Sequence, residues 1–386
     1  MTSVESAHGA YLDHGASTPI LPEVFEAMLV HLRDHYANPS GVHHAGRGER
    51  RAIDDARDIL GDVLGCSAGE IVFTSGGTEA DNLAIFGVAQ GLAPGAVIVS
   101  AIEHHGVLRP AEALGARIAP VNGQAVIDLR QLELMLDSSV GLVSMMAVNN
   151  EVGTVQPIGE VVSLVRSHAP DALVHCDAVQ ALQWYDLATL LREVDLLTIS
   201  AHKIGGPKGV GALVVRDRAR SRIHPLLLGG SQERDLRAGT ENVAGIVGLA
   251  VAAQLTKDRQ LLNTERIRAI RDRFVDQVLR SVPSARETVA RELRHVGNAH
   301  LTFPGTVNEE FLMLLDQHGV AASAGSSCAS GALEPSHVLL AMGLTPDEAR
   351  SCIRFTLGAS STSHEIDHAI TGVIAAHRQL MGDVVE

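Results

Sequence analysis

From about residue 70 to 216 the chain alternates short apolar runs with stretches of helical periodicity, and this alternation constrains the fold more than any other feature. The runs at 71–74, 97–100, 117–121, 141–144, 172–176, 196–200 and 212–215 are mostly apolar, with Arg117 and His175 the strongly polar exceptions, and are bounded by Gly, Pro, Asp or Ser. A strand with one face in water alternates polar and apolar residues; a strand covered on both faces does not. Runs without alternation, separated by periodic stretches such as 79–90, 128–137 and 158–168, predict an α/β fold whose large, mostly parallel sheet lies between helices. Ligands in such folds sit beyond the carboxyl ends of the strands.

The texture changes after Gly239. One helical pattern runs from about 241 to 282 and stops at Pro283; strand patterns (300–303, 352–357) then mix with helical ones (308–318, 364–380). A chain of 386 residues exceeds the size at which one core usually stops growing. The expected organisation is a large domain over 16–255 and a smaller α+β domain built from 1–15 and 256–386, with the boundary inside the long helix.

Composition removes several function classes. A net charge of −14 opposes non-specific attraction to nucleic acid and anionic membranes, so neither is an expected partner. Arginines between Arg216 and Arg237 leave a local basic patch open. No apolar run reaches the ~18–20 residues that span a bilayer, and the first ten residues lack a secretory pattern. Cys66, Cys176, Cys328 and Cys352 are widely spaced and form no CxxC pair, which argues against a disulfide framework or a zinc site. A reducing, cytoplasmic setting is expected. The basic residues comprise 28 Arg and only Lys203, Lys208 and Lys257. An amine is retained against such a bias where chemistry needs a group that can lose its proton and form an imine, which guanidinium cannot. Chance survival is the alternative, and the neighbours of each lysine decide.

The residues after each run carry the chemistry. The run at 71–74 leads into Ser75-Gly76-Gly77-Thr78 and a helix, either a phosphate cradle or a plain turn. The run at 97–100 leads to Glu103-His104-His105, where a histidine can stack on a ring or move protons. The run at 172–176 delivers Asp177, an acceptor for a protonated ring nitrogen or, with His175, a metal ligand. The run at 196–200 delivers Ser200-Ala201-His202-Lys203, followed by Gly206-Pro207-Lys208-Gly209. A P-loop is excluded there, because no Gly-Lys-Ser/Thr opens a helix. Together these residues supply the needs of pyridoxal 5′-phosphate (PLP): an amine for the imine (Lys203), an acid for the pyridine nitrogen (Asp177), and phosphate donors (the Ser75–Thr78 turn, Ser200 and His202).

The chain also resembles the cysteine desulfurases, dimeric PLP enzymes with the aspartate aminotransferase-like fold (fold type I). The matching stretches include Tyr11-Leu12-Asp13, Asn38-Pro39-Ser40, Phe73–Glu79, Glu103–His105, Asn149–Gly153 and Asp177–Gln180. They continue with Ser200–Lys203, Gly206–Gly209, Arg237–Asn242, Ser326-Ser327-Cys328, Pro335–Val338 and Arg354, in order along nearly the whole chain. The resemblance implies that His104 lies over the ring and Gln180 meets its phenolic oxygen. It implies that Gly77, Thr78, Ser200 and His202 hold the phosphate, joined by Thr240 from the other subunit of a homodimer. Asn150 and Arg354 should bind the substrate carboxylate, bidentately for the guanidinium. Cys328, in the small-residue stretch 323–331, should be the mobile nucleophile, and its short spacing to Pro335–Val338 resembles the Ser-Ser-Cys group rather than the selenocysteine-lyase-like branch.

The implied reaction converts L-cysteine to L-alanine: Lys203 removes the Cα proton, His104 assists proton transfer, and Cys328 takes the sulfur as a persulfide for an acceptor protein, an iron–sulfur scaffold or a thiolation protein. A selenocysteine lyase, another PLP β-lyase and a silent sulfur-assembly scaffold are the alternatives. The family usually shows Asn or Ala where His14-Gly15 stand and Asn where Asp81 stands; neither position is assigned chemistry from sequence.

Overall fold

A computed structural model describes residues 9–325 and 335–382; Cys328 lies outside the described residues. The strands, in chain order, are β1 (Ala10–Tyr11), β2 (Ile71–Thr74), β3 (Val97–Ser100), β4 (Arg117–Ala119), β5 (Leu142–Ser144), β6 (Leu173–Asp177), β7 (Leu196–Ser200), β8 (Gly211–Val215), β9 (Arg286–Glu287), β10 (Asn298–Thr302), β11 (Val320–Ala321) and β12 (Cys352–Thr356). Strands β2 to β8 form one seven-stranded sheet in the order β2-β8-β7-β6-β5-β3-β4. The fold is α/β.

Strand direction decides where the chemistry can gather. The pairs β3–β4, β3–β5, β5–β6 and β6–β7 are parallel, while β8 runs antiparallel to both β2 and β7. Strand β2 therefore points the same way as β7, and six carboxyl ends open on one edge of the sheet. Alternate residues serve opposite faces, as pleating requires: Ile98, Val174, Ile199 and Val214 pack into one core cluster, and Val97, Leu173, Leu196 and Leu213 into another. Helix His44–Leu64 and helix Ile158–His168 cover the first face, and helix Gly77–Ala89 covers the second.

Most predicted runs fall within one or two residues of the observed strands. The run at 117–121 stops at Ala119 because Pro120 has no N–H to continue the ladder. Val121 then makes only an isolated bridge to Ile127. The long helical pattern is one helix, Val243–Ser281, about 58 Å at 1.5 Å per residue. Its first part, through Ala253, packs on the sheet. From Ile267 to Val278 it packs instead against β10, β12 and helix Ser363–Met381. There β12, β10 and β9 form an antiparallel sheet, and β1 pairs with β11. No helix among the described residues is long and apolar enough to cross a membrane.

Candidate active site

The shared carboxyl edge opens on a cavity of about 390 Å³. Gly77 and Thr78 reach it from the turn after β2, His104 from beyond β3, and Asn150 from beyond β5. Asp177 and Gln180 come from the end of β6, and Ser200, His202 and Lys203 from the end of β7. Arg354 enters from β12. Thr240 stands apart, exposed, beside a smaller cavity shared with Ser75, Arg237 and Asn242.

Lys203 Nζ donates to the carbonyls of Gly15 (2.5 Å) and Ala16 (2.8 Å). Burial, assisted by the Arg354 charge, lowers its pKa to about 8; Asp13 and Asp177 resist that fall. The amine is thus closer to its neutral, nucleophilic form than an ordinary lysine. Asp177 is buried and raised to about 6 by desolvation, held down in part by the Val179 N–H (2.9 Å) and by Lys203.

His104 caps helix His105–Ala113, and its Nδ1 accepts the Gly106 N–H at 3.0 Å. That bond fixes the tautomer: the neutral ring carries its proton on Nε2. Burial, then the Lys203 charge, lowers its pKa to about 4, so the ring is neutral at pH 7. His202 is lowered to about 4 for the same two reasons in the same order.

The region around Gly77 fits an anionic group. Helix Gly77–Ala89 has no side-chain cap, so its first N–H groups lack intrahelical partners. Ser75 N–H is already committed to Glu79 Oε2 at 2.8 Å, which leaves Gly77 and Thr78 as the cradle. A Cβ at Gly77 would lie 2.9 Å from Val179 Cγ2, and Gly76 holds φ at +153°, so both positions require glycine. Ser200 Oγ is buried with no hydrogen-bond partner, and Ser200 with His202 and Lys208 also lines the adjoining cavity of about 340 Å³. An orphaned hydroxyl beside an uncapped helix start is what a phosphate would satisfy.

Arg354 donates from Nη1 to Asn150 O and from Nη2 to Asp13 Oδ1, both at 2.8 Å, while its Nε is buried without a partner. Gln180 Nε2 donates to Gly15 O at 2.9 Å.

Two further residues, His175 and Asp81, take their character from burial. Both ring nitrogens of His175 are engaged by the protein, Nδ1 with Ser144 Oγ (2.8 Å) and Nε2 with Thr198 Oγ1 (3.0 Å), which favours a structural role over metal binding with Asp177. Burial lowers His175 to about 3, so it is a neutral core residue. Asp81, assigned no chemistry from sequence, lines the cavity; its buried Oδ1 has no hydrogen-bond partner and lies 3.8 Å from His175 Nε2. Desolvation and then the Asp177 charge push its pKa well above the ordinary carboxylate range.

Sequence reasoning also missed Asp13, Glu103 and Glu151. Glu103 is buried, its Oε1 accepting the Met146 N–H at 2.8 Å and its pKa raised well above normal by desolvation. Glu151, raised to about 7 by burial, accepts from Ser336 Oγ at 2.7 Å. All three lay inside motifs already singled out. The thiols of Cys66, Cys176 and Cys352 are all raised by burial, Cys66 to about 12.

Known proteins resemble this chain along nearly its whole length. The class-V aminotransferase family model matches residues 10–368. A cysteine desulfurase IscS of Dictyoglomus turgidum is 41% identical over 93% of this chain and 92% of its own. A solved NifS-like protein superposes with a TM-score of 0.89 at 32% identity, covering 97% of this chain and 100% of that one. A structure described as SspA in complex with cysteine gives 0.78 at 32% identity over 92% of this chain and 100% of that one.

Proposed function

The chain belongs to the class-V aminotransferases and, among them, to the cysteine desulfurases; from that premise we propose that it converts L-cysteine to L-alanine and passes the sulfur to Cys328 as a persulfide. The single observation that carries the reading is the meeting of Lys203, Asp177, Ser200 and Arg354 around one cavity at the carboxyl edge of the sheet. PLP is the cofactor of this class, and the residues present fit it. Lys203 would bind its aldehyde carbon, Asp177 its ring nitrogen and Gln180 its phenolic oxygen. The Gly77–Thr78 backbone, Ser200 and His202 would hold its phosphate, and His104 would cover its ring. When bound, PLP supplies an electron sink for the pair left at Cα.

The chain's own groups do the rest. Arg354 and Asn150 hold the substrate carboxylate, with Arg354 Nε the donor free to meet it. Lys203 Nζ, its pKa lowered to about 8 by burial, would accept the Cα proton. Asp177 would be the acceptor for the ring nitrogen. His104 presents its Nε2–H to the substrate and thiol. The Cys328 thiolate attacks the substrate sulfur: an S–S bond forms, the C–S bond breaks, and its electron pair stays on carbon, which takes up protons to become alanine. Cys328 is assigned by elimination as well as by motif, because burial holds the other three thiols protonated. The enzyme acts in the cytoplasm as a homodimer whose Thr240 serves the partner's phosphate site, with an iron–sulfur scaffold or thiolation protein collecting the sulfur. Domains spanning 16–255 and 1–15 with 256–386 frame the site.

The test uses holoenzyme and L-cysteine, with alanine and the Cys328 persulfide measured by mass spectrometry. Cys328→Ala should keep the cysteine-dependent spectral change and lose sulfur transfer; Lys203→Ala should lose the visible cofactor band. Sulfur release at the wild-type rate by Cys328→Ala would assign a β-lyase instead.

A further inference from the structure

A second cluster lies away from the active cavity, where two helices meet. Helix Pro22–Arg33 carries His31 in its last turn. The backbone keeps winding past the helix end, with the N–H groups of Asp34 and His35 both directed at Val30 O (2.9 and 3.0 Å). His35 thereby stands one turn beyond His31, and the rings meet edge to face at 5.6 Å. Glu49, in the second turn of helix His44–Leu64, faces both. His31 Nδ1 lies 3.0 Å from Glu49 Oε2, and His35 Nδ1 lies 3.7 Å from Glu49 Oε1.

Glu49 is the unusual member. Its side chain is only 3% exposed, and a carboxylate taken out of water needs a cation. Neighbouring guanidinium groups are engaged elsewhere: Arg50 with Glu241, Arg33 with Asp34, and Arg47 with Val42 O. Among the described residues its ion-pair partners are the two imidazoles.

The geometry points to a site for one divalent cation. We propose that His31, His35 and Glu49 bind a single transition-metal ion of the zinc class, with water in the fourth position. Tetrahedral zinc with bonds of about 2.0–2.1 Å separates neighbouring ligand atoms by roughly 3.3–3.4 Å. Glu49 Oε1 lies 3.3 Å from His31 Nδ1 and 3.7 Å from His35 Nδ1, close to that value, and one ligand atom from each residue lies within 4.8 Å of the others. Closing the remaining gap falls to His35, whose side chain is 57% exposed and free to turn. Two imidazoles and one carboxylate suit zinc, cobalt or nickel rather than magnesium or calcium, which favour oxygen. The connector between the helices is already held by its own bonds, Ser40 N–H to Asn38 Oδ1 and Gly41 N–H to Asn38 O, both at 2.9 Å. The ion would staple the end of one helix to the start of the next across that connector.

The experiment titrates Zn²⁺ into metal-free holoenzyme by calorimetry and repeats it with Co²⁺, reading the visible bands. One ion per chain is expected, with tetrahedral Co²⁺ bands and no thiolate charge-transfer band. His31→Ala and His35→Ala should each weaken binding by more than the roughly 10–100-fold that outer-shell changes cost. Cys328→Ala should bind as wild type, and His35→Ala should desulfurate as wild type. No stoichiometric binding, or binding lost in Cys328→Ala and kept in both histidine variants, overturns the site. Because His35 is exposed, its variant remains informative where Glu49→Gln fails to fold.

Discussion

Replacing Ser200 by alanine should move apo stability and cofactor affinity in opposite directions. Ser200 ends β7, is 3% exposed, and its Oγ has no partner. In the apoprotein that hydroxyl contributes a desolvation penalty of about 1–3 kcal/mol. Ser200→Ala removes it, so apo stability should stay level or rise by about 1 kcal/mol, read from urea unfolding. In the loaded enzyme the same hydroxyl would donate to a charged phosphate oxygen, and losing a bond of that kind costs about 1.5–3 kcal/mol. The dissociation constant for PLP should therefore rise roughly 10- to 150-fold, measured by titrating apoprotein through the visible band. Pyridoxal, which lacks the phosphate, provides the control: its affinity should be the same for both proteins. An apo variant that loses more than about 1 kcal/mol while binding PLP normally would refute the reasoning. Ser200 would then be a packing residue whose hydroxyl serves the sheet.

Lys203 has a folded pKa of about 8, below that of a free lysine, so apo stability should rise with pH between about 8 and 10.5. Lys203→Met apoprotein should be more stable at pH 7 by up to about 3 kcal/mol, with the gap closing near pH 10.5; parallel urea curves would contradict the assignment. The raised Cys66 thiol should alkylate about a thousandfold more slowly than a free thiol at pH 8, and Cys328→Ala should remove the fast phase of iodoacetamide labelling. Fast labelling mapped to Cys66 by peptide mass would reverse that conclusion. Arg57 donates to both oxygens of buried Glu233 (2.7 and 3.0 Å), which also accepts the Phe73 N–H at 2.8 Å. Arg57→Ala should cost about 3–5 kcal/mol, and adding Glu233→Ala should return part of it, both read by chemical unfolding; a loss under about 1 kcal/mol would show the pair to be dispensable.

The sheet was legible because each buried strand announces itself locally, through an uninterrupted apolar run closed by a turn residue. Val97–Ser100 and Leu196–Ser200 needed no tertiary information to be placed. Lys203, Asp177 and His104 were legible for a related reason: parallel strands send their carboxyl ends to one edge, so the residue after each run faces a common space. Sequence could not say that β8 would reverse between β2 and β7, yet that reversal is what carries the Gly76–Gly77 turn to the same edge as Lys203. Pairing order depends on side chains far apart in the chain, and no local pattern encodes it.

The carboxylates were illegible for a different reason. An Asp or Glu in a motif reads the same whether it meets water, a guanidinium or another carboxylate, and only the fold decides. Asp81 lies on helix Gly77–Ala89, and burial, then the charge of Asp177 96 residues further along on the opposing strand, pushes its pKa up. Asp13 gains its meaning from Arg354, at the other end of the chain. Glu49 stands 14 and 18 residues from the two histidines it faces, across a connector whose turn no periodicity predicts. In each case the informative quantity is the electrostatic environment of a buried charge, which long-range packing creates. Functional groups that act alone at strand ends can be read from sequence; groups that act through another charge have to be seen in the fold.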